Sequence, residues 1–240
     1  MKKILTFITT SIIVSLLAFQ GTLYAQDNYN QSDKQGRQQG KWIDYYGNGQ
    51  VRYRGQFKDG IPTGDFLYYN EDGTLKAKNT YKNNGHESFT EMYSPEGKVV
   101  AKGNYLHTKR NGEWTYFSEK DGSVILKEKY VNVILNGKSI SYAKGTIIIE
   151  EMEYVNGKRQ GPYNKFYDTG VPMIEANYQN DFLDGKFVAY YPNNVIQFEG
   201  VYRQGEKIGE WKTYDEEGNL VSTDVHHEED YNDPTLEDFK

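Results

Sequence analysis

The stretch Gly40-Lys41-Trp42-Ile43-Asp44-Tyr45-Tyr46-Gly47-Asn48-Gly49, continuing Gln50-Val51-Arg52-Tyr53-Arg54-Gly55-Gln56-Phe57-Lys58-Asp59-Gly60, contains the plan of the whole chain. Its second half alternates. Val51, Tyr53, Gly55 and Phe57 fall on one side, and Arg52, Arg54 and Gln56 on the other. Successive side chains of an extended backbone point to opposite faces, so a period of two reads as a half-buried strand. Gly47-Asn48-Gly49 supplies the positive φ that a tight hairpin turn needs, and Asp72-Gly73 does the same in the next copy. The unit is therefore strand, turn, strand, turn.

The unit recurs along the chain. Tyr45, Tyr69, Tyr93, Phe117, Tyr142, Phe166, Tyr190 and Tyr214 step by 24 residues, with one step of 25. Phe57, Tyr81, Tyr105, Tyr130, Tyr154, Tyr178 and Tyr202 make the same single slip. A glycine series follows it too: Gly40, Gly64, Gly112, Gly137, Gly161, Gly185 and Gly209, with Ser88 in the gap. Tyr93 lies four residues before Gly97 but Phe117 five before Gly122, which places the extra residue in that turn. Leu75, Ala77, Asn79 and Tyr81 alternate with Lys76, Lys78 and Thr80 as in the first copy. The fold class expected is all-β: an elongated single-layer antiparallel β-meander of about eight 24-residue hairpin repeats, with about 15 or 16 short strands. Recurrent Gly, with Pro62, Pro95, Pro162, Pro172 and Pro192, argues against helices.

One hairpin cannot bury enough surface to fold alone. Stacked copies are expected to place the same aromatic of each unit against its neighbour's, at about 0.5–1.5 kcal/mol per ring pair beyond area burial. The glycine series admits two roles, bare backbone under a ring or turn geometry. A further series, Trp42, Phe66, Trp114, Tyr163, Phe187 and Trp211, has Thr90 and Ser139 at its third and fifth places. Phe89, one residue early, points to a bulge or register shift there. The middle of the array should be its least regular part, and Thr146-Ile147-Ile148-Ile149 its most β-prone segment. Of two test residues, Tyr154 belongs to a ring series and should matter, whereas Arg159, read as a turn residue, should contribute little.

Composition narrows the function. Tyr numbers 22 and Gly 24, and there is no Cys, which excludes structural disulfides and thiol chemistry. Residues 1–25 read as a cleavable export signal: Lys2 and Lys3, an apolar run from Ile4 to Phe19, then Leu23-Tyr24-Ala25, with cleavage after Ala25. That predicts a secreted or periplasmic protein. The remaining boundaries expected are a linker over 26–35, the repeat array over 36–226 and an acidic tail over 227–240. Net charge is −6, but residues 213–240 alone hold ten acids and one Lys. The body is close to neutral and lacks the field that nucleic acid or strong acidic-lipid binding requires.

The unit Gly-x-aromatic-x-x-Tyr, then Gly, then Tyr and a Gly-rich turn, resembles the MORN repeat in its bacterial variant. Gly205-Glu206-Lys207-Ile208-Gly209-Glu210-Trp211-Lys212-Thr213-Tyr214 and Gly157-Lys158-Arg159-Gln160-Gly161-Pro162-Tyr163 carry the resemblance, which extends over about residues 33–226. It implies an elongated sheet serving protein–protein or protein–membrane association, and is similar to proteins of the YwqK type, antitoxins of polymorphic toxin systems. The function expected is an exported, non-enzymatic protein-binding or scaffold module of the cell envelope. An immunity protein neutralising a toxin, and a glycan-binding module, are the alternatives. The partner is another protein or an envelope glycan, and no cofactor or metal is expected. The candidate binding face is Trp42, Tyr45, Trp114, Tyr190, Trp211 and Tyr214. His226 falls 24 residues after Tyr202 and reads as the next ring of the ladder, while His86 and His107 read as turn residues. Glu151 and Glu153 share a strand face opposite Glu150, and a cross-strand charge row explains all three.

Overall fold

A computed structural model describes residues 28–227. The expected export signal, its cleavage point and the acidic tail after His227 lie outside the described residues. The strands are β1 (Gln31–Ser32), β2 (Gln38–Tyr45), β3 (Val51–Lys58), β4 (Ile61–Tyr69), β5 (Leu75–Lys82), β6 (Glu87–Tyr93), β7 (Val99–Leu106), β8 (Lys109–Phe117) and β9 (Val124–Val131). They continue as β10 (Ile134–Ala143), β11 (Ile147–Val155), β12 (Lys158–Phe166), β13 (Pro172–Gln179), β14 (Phe182–Leu183), β15 (Gly185–Tyr190), β16 (Ile196–Arg203), β17 (Glu206–Tyr214) and β18 (Leu220–His226). Consecutive strands pair antiparallel from β1 to β18, except that β14 and β15 are two halves of one strand, both paired with β13. The result is an open meander of 16 full strands, or eight hairpins, plus the two-residue β1.

β1 lies within the segment read as a linker. Gln31 and Ser32 pair with Gln39 and Gln38. Asn30 continues the edge with its side chain: Nδ2 donates to Ile43 O and Oδ1 accepts from Ile43 N, each at 2.9 Å. An amide side chain carries the donor and acceptor of a peptide group, so Asn30 can stand in for a strand residue.

The repeat is also visible in hydrogen bonds between successive hairpins. Tyr46 Oη donates to Tyr69 O at 2.7 Å, Tyr167 Oη to Tyr190 O at 2.8 Å and Tyr191 Oη to Tyr214 O at 3.0 Å. At the opposite sheet end, Gly157 N donates to Leu135 O and Gly205 N to Leu183 O, both at 2.8 Å. Most first turns close with a bond from glycine N–H to the carbonyl three residues back, as from Gly49 to Tyr46 at 3.0 Å. In the unit with the extra residue the bond runs instead from Gly122 to Ser118, four residues back, at 2.8 Å. The insertion therefore sits in the turn that the spacing indicated.

The recurrent glycines serve backbone geometry. Gly64 has φ +66°, and a Cβ built there would meet nothing within 4 Å. A left-handed residue at this place accompanies a two-residue shift of register, as between Arg54 and Gln56 where β3 meets β4. In the third unit Ser88 takes the place without positive φ, and β5 and β6 pair straight through from Ala77–Met92 to Lys82–Glu87. The expectation of a bulge at Phe89 is thus reversed: this unit loses the shift that its neighbours have. Phe89 opposes Thr80 on the other face of the sheet and is 36% exposed.

Candidate functional site

The rings of one face come from two series that interleave. Trp42 meets Phe57 edge-on with centroids 5.8 Å apart, and Phe57 meets Phe66 at 5.1 Å and 88°. Phe66 meets Tyr81 at 5.1 Å, Tyr105 meets Trp114 at 5.2 Å, and Tyr202 meets Trp211 at 5.0 Å, all near-perpendicular. Tyr163–Tyr178 and Phe187–Tyr202 repeat the arrangement. His226 closes the row, edge-on to Trp211 at 6.4 Å, as its place in the ladder indicated. Most contacts therefore run between the two series, with rings of one series two strands, or about 9–10 Å, apart and a ring from the strand between filling the space edge-to-face. Like meets like where the bare Gly200 lies between: Phe187 and Trp211 stand 5.9 Å apart at 37°.

What lies beneath each ring explains its burial. A Cβ built on Gly103 would lie 2.4 Å from Trp114 Cδ2, and one on Gly200 would lie 2.3 Å from Trp211 Cδ2. Each indole rests on bare backbone of the preceding strand. Its Nε1–H donates to the next carbonyl, Asn104 O at 3.1 Å or Val201 O at 3.3 Å, beside the register shift. Cations cover the outer faces: the Arg110 guanidinium lies 4.5 Å from the Trp114 centroid and Lys207 Nζ 4.2 Å from that of Trp211. Trp114 is consequently 0% exposed and Trp211 3%.

The candidate binding residues therefore do not form one face. Trp42, Trp114 and Trp211 belong to the interleaved row, and the latter two are closed to solvent. Tyr45, Tyr190 and Tyr214 lie on the opposite face among charges. Tyr190 Oη donates to Glu175 Oε2 at 2.9 Å and Tyr214 Oη to Glu199 Oε1 at 3.1 Å. Burial, then the Glu175 carboxylate, pushes the Tyr190 phenol up to about 12. On the same face Arg54 lies over Tyr69 and Lys102 over Phe117, at 5.7 and 5.1 Å, and Lys78 pairs with Asp65 at 2.9 Å. Glu153 lies opposite Lys138, and Glu150 faces Lys165 on the ring side, as a cross-strand charge row requires, but Glu151 lies between Asn164 and Ile140, so the row explains two of the three acids. Tyr45, at 52%, is the most exposed of the six.

The third and fifth units, which carry Thr90 and Ser139 in place of a ring, show openings on the ring face. The larger, about 340 Å³, lies over Asn79 and Thr90 between Tyr81 and Tyr105, with Tyr68 and Met92 at its side. In this unit Asn79 holds the place of the bare glycine, and Thr90 Oγ1 donates to Asn79 Oδ1 at 2.9 Å. The other opening, about 210 Å³, is lined by Ser139, Ser141, Glu150, Tyr154, Arg159 and neighbouring rings. Beside Ser139, Glu128 holds the glycine place, and its carboxylate accepts from Tyr130 Oη at 2.6 Å. Arg159 is no turn residue: it lies in β12, 4.3 Å over the Tyr178 ring, and its Nη2 donates to Asp181 O at 2.9 Å. His86 and His107 pack ring against ring at 4.8 Å beside the larger opening.

The architecture is that of an all-β repeat protein, one hairpin per unit. The family model of the MORN repeat variant matches residues 38–59, 62–83, 159–180, 183–204 and 207–226, so these five units are similar to MORN-type repeats. The unmatched middle, 84–158, contains Ser88, Thr90, the lengthened turn and Ser139, which bears out the expectation of a least regular centre. No curated protein matches the chain. A solved structure described as the crystal structure of TcdB2-TccC3-Cdc42 is similar at 11% identity over 79% of this chain and 12% of that chain, with a TM-score of 0.20. The chain thus spans a small part of that protein, and so slight a likeness bears on neither fold nor function.

Proposed function

We propose that the chain is a non-enzymatic binding module, exported to the cell envelope, whose free edge strand β18 takes up an extended basic segment of another protein. The observation that carries this reading is the contrast between the two sheet edges. The first edge is capped by β1 and the Asn30 side chain. At the other, β18 pairs with β17 alone among the described residues, and Leu220, Val221 and Val225 are 57%, 65% and 55% exposed. An unpaired edge templates another strand, and proteins usually guard it with Lys or Pro. The β18 sequence, Leu220-Val221-Ser222-Thr223-Asp224-Val225-His226, contains neither, and its one charge, Asp224, is an acid set opposite Trp211.

Charge selects the occupant. Residues 213–240 hold ten acids and one Lys, so a second copy of the same edge is repelled and a basic strand attracted. The immunity reading is the special case in which that partner is a toxin. The glycan reading gains no support from Trp114 and Trp211, whose rings have no open face for a sugar.

A photo-reactive residue at Thr223, in the full chain expressed in its own envelope, tests the proposal. Adducts should map to a basic extended segment of one protein and disappear with Val221→Pro. Adducts joining two copies of the chain, or adducts indifferent to Val221→Pro, would count against it. Fractionation together with N-terminal sequencing at Gln26 tests the export step.

A further inference from the structure

The geometry points to the opening in the third unit as a binding slot for an aromatic side chain presented by a partner polypeptide. It rests on the reading of the chain as a binding module but uses the ring face, not the edge.

The neighbouring units place a ring there. Phe66 sits between Phe57 on the strand before it and Tyr81 on the strand after, edge-to-face with both at 5.1 Å. One unit on, the flanking rings are Tyr81 and Tyr105, and the residue between them is Thr90. Both tyrosines line the opening. Their outer partners are in place, Phe66 for Tyr81 and Trp114 for Tyr105, so two aromatic walls stand ready-made around a missing ring. Phe66 and Trp114 rest on bare glycine, whereas Asn79 fills that seat here, so a guest ring would lie above Asn79 and Thr90, between Tyr81 and Tyr105.

Size and lining agree. A large-to-small replacement in a packed row leaves a void that apolar guests can occupy. An opening of about 340 Å³ accommodates an indole or phenyl group. Ala77 and Met92 add apolar floor, and Met side chains adapt to irregular guests. Arg52 and Lys76 also line this opening, but its exposed lining is mostly apolar; the comparable opening at Ser139, with Glu150 and Arg159, is lined mostly by polar surface, and an apolar ring there would desolvate both charges. A partner that pairs strand-wise or lies along the sheet can present one such ring, with the Thr90 unit as its register mark.

The test uses the full chain with its methionines methyl-labelled, titrated with 5-fluoroindole. Met92 lines the Thr90 opening and Met152 the Ser139 opening, so the two methyl signals report separately. The expected result is a saturable shift of Met92 in the millimolar range with Met152 unmoved, and displacement by N-acetyltryptophanamide but not by methyl glucoside. The double substitution Asn79→Gly with Thr90→Trp recreates the Gly103–Trp114 pair and should weaken fluoroindole binding at least ten-fold while the protein stays folded. No shift of Met92, an equal shift of Met152, displacement by the glycoside, or undiminished binding by a folded double variant would overturn the inference. The wild-type titration stands even if the double variant misfolds. Failure here with intact Thr223 cross-linking would remove the slot and leave the edge proposal standing; the reverse pattern would do the opposite.

Discussion

Gly103→Ala isolates the contact on which the ring row depends. Gly103 has no positive φ, so the change brings no backbone strain of its own. The added methyl carbon would sit 2.4 Å from Trp114 Cδ2 and 2.5 Å from Cε2, well inside contact distance. Trp114 is 0% exposed and held by Arg110, Tyr105 and the Asn104 carbonyl, so it has nowhere to retreat without losing them. Overpacking of this kind costs about 1–3 kcal/mol, and complete expulsion of the indole would approach the roughly 3–5 kcal/mol of aromatic truncation. We expect about 3 kcal/mol. Gly112→Ala is the control: φ there is +77°, but the nearest atom to a new Cβ is Asn104 Nδ2 at 3.9 Å, so only the left-handed conformation is penalised, at about 1–2 kcal/mol. Urea unfolding followed by tryptophan fluorescence and near-ultraviolet circular dichroism measures both, with coincidence of the two probes checked because repeat arrays can unfold in stages. Trp114→Thr made on top of Gly103→Ala should add less than it costs alone, since Asn79 with Thr90 is a natural pair of that kind. If Gly103→Ala costs no more than Gly112→Ala, the indole is not resting on the glycine and the packing account fails.

Trp114→Ala should cost about 3–5 kcal/mol, whereas Tyr45→Ala, at an exposed position on the charged face, should cost under about 0.5, as chemical denaturation would show. Arg159→Ala should cost about 1–2 kcal/mol through its stacking on Tyr178 and its bond to Asp181 O, and a loss indistinguishable from zero would return it to the status of a turn residue. Stability should also fall at alkaline pH. Tyr163 and Tyr190 are pushed up to about 12, chiefly by burial, while an unfolded tyrosine ionises near 10. Their contribution is fully present below pH 10 and is lost as pH rises from 10 to 12. Denaturation midpoints that stay level across that window would contradict it.

The fold was legible because period and parity survive in a single copy of the sequence. Three series sharing one slip identify the unit and even the turn that holds the extra residue. Parity also carried a signal that the choice of binding face overlooked. Trp42 and Tyr45 are three positions apart, an odd number, so an alternating strand must set them on opposite faces; Trp114, Trp211, Tyr190 and Tyr214 divide in the same way. The burial of the tryptophans was less accessible. It depends on Gly55, Gly103 and Gly200, whose series is interrupted by Asn79, Glu128, Met152, Ala176 and Asp224 and so escapes a search for invariant residues. Read together, the two series are complementary: Gly103 and Gly200 face Trp, while Asn79 and Glu128 face Thr90 and Ser139. The recurrent glycines left two roles open, and only dihedral angles separate a bulge from a ring seat. Phe89 misled because a ring one place early looks like a slipped register. The substitution at Ser88 removes the shift, and Phe89 simply occupies the other face.

Indole and phenyl rings lie on the bare backbone of three glycines, Gly55, Gly103 and Gly200. The α-proton shifts of the 24 glycines test it most directly, because a proton under a ring face is moved upfield by the ring current. Gly55, Gly103 and Gly200 should stand upfield of Gly64, Gly112 and Gly161. If all six fall together in the ordinary glycine range, the rings are elsewhere.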